Sequence, residues 1–213
     1  MGTQITLTAA DGHTLAAYRA DPEGTPRGAI VVVQEIFGVN QHIRAVTDSF
    51  AADGYVALAP AFFDRSKPVV ELDYTPEGMT TGRELAYALD WNNTVADVSA
   101  AAGALRQYGK VGLVGYCWGG SVAWLAACRS ELDCAVSYYG GRIIDTKDAT
   151  PNCPTMLHFG DADKAIPIDD VEAIKAAHPD MPIHRYADAE HGFNCDIRAS
   201  YHAESAKIAR ERT

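Results

Sequence analysis

The sequence predicts an α/β protein with a mostly parallel central sheet, an antiparallel hairpin at its N-terminal edge and helices on both faces. Short, apolar, β-rich runs, typical of strands buried on both faces, lie at 29–33, 55–59, 111–114, 135–139 and 155–159, with a shorter one at 183–186. Helical patterns separate most of them, at 41–53, 82–107, 119–129, 169–178 and 199–210. Because strand and helix alternate, the connections favour a parallel sheet that is covered on both sides.

The N-terminal segment has a different pattern. Ile5 and Leu7 alternate with polar residues, and Leu15 and Ala17 repeat this alternation beyond the turn residues Asp11–Gly12. Alternation on both sides of such a turn predicts an antiparallel hairpin at one edge of the sheet.

Length and composition predict a single domain over residues 1–213. The chain is 47% hydrophobic and 22% charged, an ordinary globular balance that provides for one sizeable core. The formal net charge of -10, from 18 basic and 28 acidic residues, disfavours nucleic acid and anionic lipid as partners. We expect a monomer, with a dimer as the alternative. The last predicted helix reaches Thr213 without a stop signal, so we expect the natural chain to continue slightly further.

The cysteines and the apolar runs bear on the compartment. The five cysteines are odd in number and form no C-x-x-C pair, so we expect reduced thiols rather than disulfides or a structural zinc site. No apolar run approaches the roughly 20 residues that span a bilayer, and no signal-peptide pattern begins the chain. We therefore expect a cytoplasmic protein.

The segment Gly115–Gly119 is the strongest functional signal. It reads Gly-Tyr-Cys-Trp-Gly, which is the G-x-S-x-G nucleophile elbow of the α/β-hydrolase fold with Cys117 in place of serine, and it lies between a predicted strand and a predicted helix. Glycine is required on both sides because side chains there would collide across the tight turn. The alternatives, a buried structural cysteine or a nucleotide-binding loop, are weaker because the P-loop lysine and the G-x-G-x-x-G spacing are absent.

A nucleophilic thiol needs a base, and the base needs an acid that orients it. In this fold the acid precedes the histidine along the chain, and both follow strands. Asp161 and Asp163 follow the run 155–159, and His191 follows the run 183–186. We select Asp163 as the acid and His191 as the base. The backbone N–H groups of Ile36 and Trp118 are expected to form the oxyanion hole.

The remaining cysteines and histidines show no clustering that predicts metal ligands, so no metal and no cofactor are expected. Cys195 is the only other cysteine near the expected site, and we interpret three further cysteines as packing residues: Cys128, Cys134 and Cys153.

Several segments together resemble the dienelactone hydrolase (carboxymethylenebutenolidase) family over almost the whole chain. They are Gln34–Asn40, Gly115–Gly120, Tyr138–Gly140 and His191–Phe193. The resemblance implies a triad of Cys117, His191 and Asp163 that hydrolyses small esters or lactones through a thioester. It also implies that Glu35 contacts the nucleophilic thiol and moves when substrate binds.

The resemblance further implies substrates that carry a carboxylate. It places Arg83 and Tyr87 on one helix face, where they help to bind that group, and it places Phe37 and Tyr138 in segments expected to contact the substrate. Spacing alone would favour a solvated helix face, with Arg83 paired to a nearby acid.

One position departs from the family pattern. The family has a second arginine four residues beyond the catalytic histidine, and this chain has Cys195 there. Arg142 or Arg198 could substitute for it. Three alternatives to a carboxylate-specific lactonase remain: a general carboxylesterase, a non-catalytic ligand-binding domain with this fold, and, more weakly, a metal-dependent hydrolase.

Overall fold

The computed structural model describes residues 2–213 and contains one eight-stranded sheet, whose strand order is β1-β2-β4-β3-β5-β6-β7-β8. The strands are β1 (Thr3–Thr8), β2 (Thr14–Ala20), β3 (Ala29–Val33), β4 (Val56–Pro60), β5 (Val111–Tyr116), β6 (Cys134–Tyr138), β7 (Thr155–Gly160) and β8 (Ile183–Tyr186). The β1–β2 and β2–β4 pairs are antiparallel, and every other pair is parallel. The predicted N-terminal hairpin and parallel sheet are confirmed.

Helices cover the sheet on both faces, as predicted. They are α1 (Gln41–Ala52), α2 (Pro76–Ala88), α3 (Trp91–Leu105), α4 (Trp118–Arg129), α5 (Ile168–Ala177) and α6 (Ala203–Arg212), with short 3-10 turns at 62–65, 106–108 and 143–146. Successive strand residues point to opposite faces. Val31 packs in one buried cluster with residues of α3 and α4, while Val32 packs in another with residues of α1 and α6.

One predicted helix is wrong. The segment 82–107 is not a single helix, because the chain leaves helical geometry at Leu89 and Asp90, where ψ is 132° and 135°. The Asp90 carboxylate accepts from the backbone N–H groups of Asn92 and Asn93 and so begins a new helix. The first helix begins earlier than predicted, at Pro76, behind a Thr75 cap.

The last helix begins later than predicted. The His202 side chain accepts from the backbone N–H of Ser205, so α6 begins at Ala203 rather than at 199. Within residues 2–213, no helix has both the length and the apolar character needed to cross a bilayer.

The carboxyl ends of the parallel strands meet at one edge of the sheet, where doubly covered sheets bind their ligands. The loops after β3, β5, β7 and β8 carry the residues predicted to act, and the central strands β4 and β5 are buried along their whole length. This rigid framework holds those loops.

Candidate active site

Cys117 occupies a strained turn between β5 and α4. Its backbone angles are φ 58° and ψ -118°, a region that costs a non-glycine residue of order 1–3 kcal/mol. The Cys117 N–H donates to the Tyr138 carbonyl oxygen at 3.0 Å, which holds the turn against β6. The thiol therefore stands at the first turn of α4, where the helix dipole favours a thiolate.

The elbow closes only because two positions lack side chains. A Cβ at Gly115 would collide with the backbone of Gly119, and a Cβ at Gly119 would lie 2.6 Å from the Val33 carbonyl oxygen. The loss of either glycine would push the thiol out of position. This is the collision that the sequence pattern predicts.

The structure brings the three predicted triad residues together. His191 Nε2 lies 3.0 Å from Cys117 Sγ, and His191 Nδ1 lies 2.7 Å from Asp163 Oδ2. Asp163 is buried, and its second oxygen accepts from the Ala165 N–H at 2.8 Å, so the carboxylate cannot rotate away. Asp161 instead pairs with Arg185.

The electrostatics of the triad favour a proton on the histidine. Burial alone would lower the pKa of His191, but the negative charges of the Cys117 thiolate and the Asp163 carboxylate outweigh burial and raise it. An imidazolium beside the sulfur stabilises the thiolate, which is the nucleophilic form of cysteine.

Two backbone donors near the thiol are unused. Among the contacts of residues 2–213, neither the Ile36 N–H nor the Trp118 N–H donates to a protein acceptor. Both residues line the cavity that contains Cys117. The Trp118 ring is held by a stacked contact with Trp91 and by Phe62, at centroid distances of 6.2 and 5.7 Å. The two amides can therefore face an oxyanion from a fixed backbone.

A cavity of about 210 Å³ opens in front of Cys117 and His191, and three arginines line it. Arg198 pairs with Glu35, and Arg142 pairs with Asp145. Arg83, which is exposed, forms no ion pair or side-chain hydrogen bond with any residue of 2–213. The cavity thus presents one uncompensated positive charge. Phe37 and Tyr87, both predicted to bind substrate, also line it.

Glu35 forms no hydrogen bond with the Cys117 thiol. Its carboxylate is fully buried; Oε2 accepts from the Tyr74 hydroxyl at 2.8 Å, and Oε1 pairs with Arg198 Nη1 at 3.2 Å. A desolvated carboxylate gains more from a guanidinium than from a thiol. Arg198 therefore occupies the position beside Glu35, and the thiol is left to His191. No pattern in the sequence indicates the role of Tyr74, because Tyr74 lies in an irregular loop.

The expectation that the Tyr138 side chain binds substrate is wrong. Tyr138 is buried outside the cavity, its hydroxyl lies 2.7 Å from Thr213 Oγ1, and its ring packs on Tyr116 and His158 at 4.8 and 4.5 Å between centroids. Only its carbonyl oxygen serves the site, by holding the elbow. The neighbouring Tyr139 is also buried and does not line the cavity, and its ring lies 5.1 Å from the His191 ring.

The prediction that the remaining cysteines and histidines do not cluster is also wrong. A carboxylate oxygen of Glu35, a ring nitrogen of His42 and the Cys195 sulfur all lie within 4.8 Å of one another, and all three residues are buried and do not line the cavity. We call this set the rear cluster. Burial and the Glu35 carboxylate raise the pKa of the Cys195 thiol to about 12, so the thiol keeps its proton.

The chain is similar to known proteins over almost its whole length. A family model described as the dienelactone hydrolase family matches residues 15–213. A Pseudomonas putida carboxymethylenebutenolidase is 35% identical over 98% of this chain and 92% of its own. A Synechocystis protein, provisionally named a carboxymethylenebutenolidase, is 37% identical over 92% of this chain and 87% of its own.

A solved structure gives the same result. A Klebsiella pneumoniae protein, provisionally described as a dienelactone hydrolase, superposes with a TM-score of 0.86 at 32% identity. The superposition covers 99% of this chain and 96% of that one. The similarity therefore extends over the whole sheet and every loop that carries a site residue.

Proposed function

The chain belongs to the dienelactone hydrolase family, and from this premise we propose that it cleaves small, carboxylate-bearing esters or lactones with Cys117 as nucleophile. Membership makes it a carboxylic ester hydrolase. The nucleophile, the thioester and the substrate carboxylate are the proposal. The observation that carries it is the unbroken chain of contacts from Asp163 through His191 to the thiol, at 2.7 and 3.0 Å.

The first half of the reaction forms a thioester. The Cys117 thiolate attacks the carbonyl carbon, and the carbonyl π electrons move to the oxygen, which accepts from the Ile36 and Trp118 N–H groups. When the tetrahedral intermediate collapses, the bond to the leaving oxygen breaks. The His191 imidazolium donates its proton to that oxygen, and Asp163 keeps the ring in the required orientation.

The second half regenerates the enzyme. Neutral His191 takes a proton from water, the resulting hydroxide attacks the thioester carbonyl, and the thiolate leaves as the acid forms. Since a thiolate leaves readily, the first intermediate collapses forward only when the substrate also has a good leaving group. This favours enol lactones and activated esters over amides.

The arginine lining supports a carboxylate on the substrate. In a protein of net charge -10, an anion needs a local cation, and Arg83 is the cavity arginine without an acidic partner in residues 2–213. A charge-assisted contact is worth about 1.5–3 kcal/mol, or roughly one to two orders of magnitude in affinity. Arg198 is held by Glu35 and would have to leave it to take up the role of the missing second arginine.

The nucleophile is tested with Cys117→Ala on a p-nitrophenyl ester. We expect kcat to fall at least about a thousandfold, because no other group can form the thioester. Cys134→Ala is the matched control, since Cys134 begins β6 at the opposite end of the strands from the site. Equal rates for wild type and Cys117→Ala would remove the nucleophile from the proposal.

The substrate carboxylate is tested with Arg83→Gln on a pair of p-nitrophenyl esters, one acyl chain ending in a carboxylate and the other in a methyl group. We expect kcat/KM to fall about 10- to 100-fold for the anionic ester alone. An even loss on both esters would support a general carboxylesterase instead.

A further inference from the structure

The rear cluster unites three residues from separate loops and elements. Glu35 follows β3, His42 lies in the first turn of α1, and Cys195 lies in the loop after β8. Each is at least nine-tenths buried: the exposed fractions are 0% for Glu35, 4% for His42 and 0% for Cys195. Oxygen, nitrogen and sulfur donors therefore converge inside the protein, where water is excluded.

The two nitrogens of His42 have different environments. Nδ1 lies 3.2 Å from Oδ1 of Asp196, whose side chain is exposed. Nε2 is buried and has no hydrogen-bond partner within residues 2–213. A carboxylate at Nδ1 places the proton there, so Nε2 presents a bare lone pair. A histidine oriented by a carboxylate in this way is the usual form of a metal-ligating histidine.

We propose that the rear cluster is a zinc site, with the Glu35 carboxylate, His42 Nε2 and the Cys195 thiolate as its three protein ligands. A mixed set of carboxylate, imidazole and thiolate suits this d10 cation, and three ligands leave one tetrahedral position for water or another small donor. The ligand atoms of tetrahedral zinc lie roughly 3.5 Å apart, so the cluster needs to close by about 1 Å.

The unpartnered nitrogen of His42 supports a cation. Its Nε2 lone pair is a buried acceptor without a donor within residues 2–213, which costs roughly 1–3 kcal/mol. A divalent cation would satisfy this lone pair together with the Cys195 sulfur, while Glu35, whose oxygens contact Tyr74 and Arg198, would ligate through a remaining lone pair. Binding would release the Cys195 proton to solvent, because only the thiolate ligates the metal.

An approach to the cluster exists through a cavity other than the catalytic one. A second cavity of about 350 Å³ is lined by His42 and Asp196, together with Tyr201 and Lys207. An ion can reach Asp196 there before it passes to His42. The two cavities share no lining residue, so access to this site is separate from access to Cys117.

The test uses Co²⁺, whose bond to a thiolate gives an intense near-ultraviolet absorption band. Chelator-treated protein carrying Cys117→Ser is titrated with Co²⁺, so that the catalytic thiol cannot contribute. We expect the band to saturate at one equivalent, and to disappear in Cys117→Ser/Cys195→Ser and in Cys117→Ser/His42→Gln. A band that survives the loss of Cys195 would overturn the proposal, as would no band in Cys117→Ser.

A surface variant tests the same site without the risk that substitution of buried Cys195 or His42 prevents folding. Asp196→Ala removes only the exposed carboxylate that orients His42, and we expect Zn²⁺ affinity, measured by competition with a chromogenic chelator, to fall about tenfold or more. Asp180→Ala, another exposed aspartate, is the matched control and should bind as wild type does. Equal affinity for Asp196→Ala and Asp180→Ala would contradict the assigned geometry.

Discussion

The molecule contains two sets of cysteine, histidine and carboxylate that differ in geometry. In the proposed catalytic set of Cys117, His191 and Asp163, the histidine touches both partners, at 3.0 and 2.7 Å. In the rear cluster, the buried nitrogen of His42 has no partner within residues 2–213, and the carboxylate at its other nitrogen is exposed. The same residue types thus form a chain of hydrogen bonds in the first set and a group of converging metal-ligand atoms in the second.

The two cysteines, Cys117 and Cys195, have different surroundings. The pKa of Cys195 is raised to about 12, first by burial and then by Glu35. Cys117 stands at a helix start, in a strained turn, beside a histidine whose pKa is raised. Under the proposed assignments, backbone strain and a histidine of raised pKa separate the nucleophilic thiol from the ligand thiol.

Substitution of His191 and of His42 should give the largest difference in activity between the two sets. His191→Gln should lower kcat for an activated ester by about 10²–10⁴-fold, because it removes the general base and the positive charge beside the thiolate. His42→Gln should lower it less than about tenfold. Both variants are assayed by steady-state kinetics after chelator treatment. Comparable losses would mean that the rear cluster takes part in the chemistry.

The elbow glycine tests whether backbone geometry positions the thiol. Gly119→Ala places a methyl group against the Val33 carbonyl oxygen, and we expect the free energy of unfolding to fall by about 3 kcal/mol. Gly103→Ala is the matched control, because Gly103 is an exposed position of α3 and nothing lies within 4 Å of its Cβ. It should raise stability by about 0.5–1 kcal/mol. Equal denaturant midpoints for the two variants would show that the turn tolerates a side chain.

A third histidine, His158, differs from His191 and His42 because it has no carboxylate partner. Burial, followed by the charges of His184 and Arg212, lowers its pKa from 6.5 to about 3. As the pH falls below 6.5, His158 binds a proton in the unfolded chain but stays neutral in the folded protein. Its contribution to the free energy of unfolding is therefore complete above pH 6.5 and is lost progressively as the pH falls toward 3. By pH 5 the loss is about 2 kcal/mol.

The control for this prediction is His158→Gln, which can keep the contacts with Tyr186 and Thr213. Urea unfolding at pH 7 and pH 5 should show that wild type loses about 2 kcal/mol more than the variant. Parallel losses in the two proteins would mean that another group dominates the acid sensitivity.

The sheet was predictable because its signals are local. Buried parallel strands leave short apolar runs, and the elbow leaves two glycines at fixed spacing, so β5, α4 and the position of Cys117 follow from a few neighbouring residues. The break at Leu89–Asp90 was missed because the helical pattern continues across it. The deciding signal was Asp90 itself, whose side chain caps the next helix.

The rear cluster and the position of the Tyr138 ring could not be predicted from neighbouring residues in the sequence. Glu35, His42 and Cys195 have no ligand spacing along the chain and meet only when three segments fold together. Tyr138 lies in a matching motif, yet strand alternation directs its ring to the same face as Tyr116, away from the cavity. That alternation was the available signal for excluding it.

The central claim is that the Cys117 sulfur carries the acyl group, and trapping that group tests it most directly. The enzyme is mixed with p-nitrophenyl acetate, quenched in acid within milliseconds and digested with trypsin, which releases the peptide 111–129 containing Cys117, Ser121 and Cys128. We expect fragmentation to place one acetyl group on Cys117, and Cys117→Ala to carry none. An acetyl group on Ser121 or Cys128, or an equal yield from Cys117→Ala, would contradict the account.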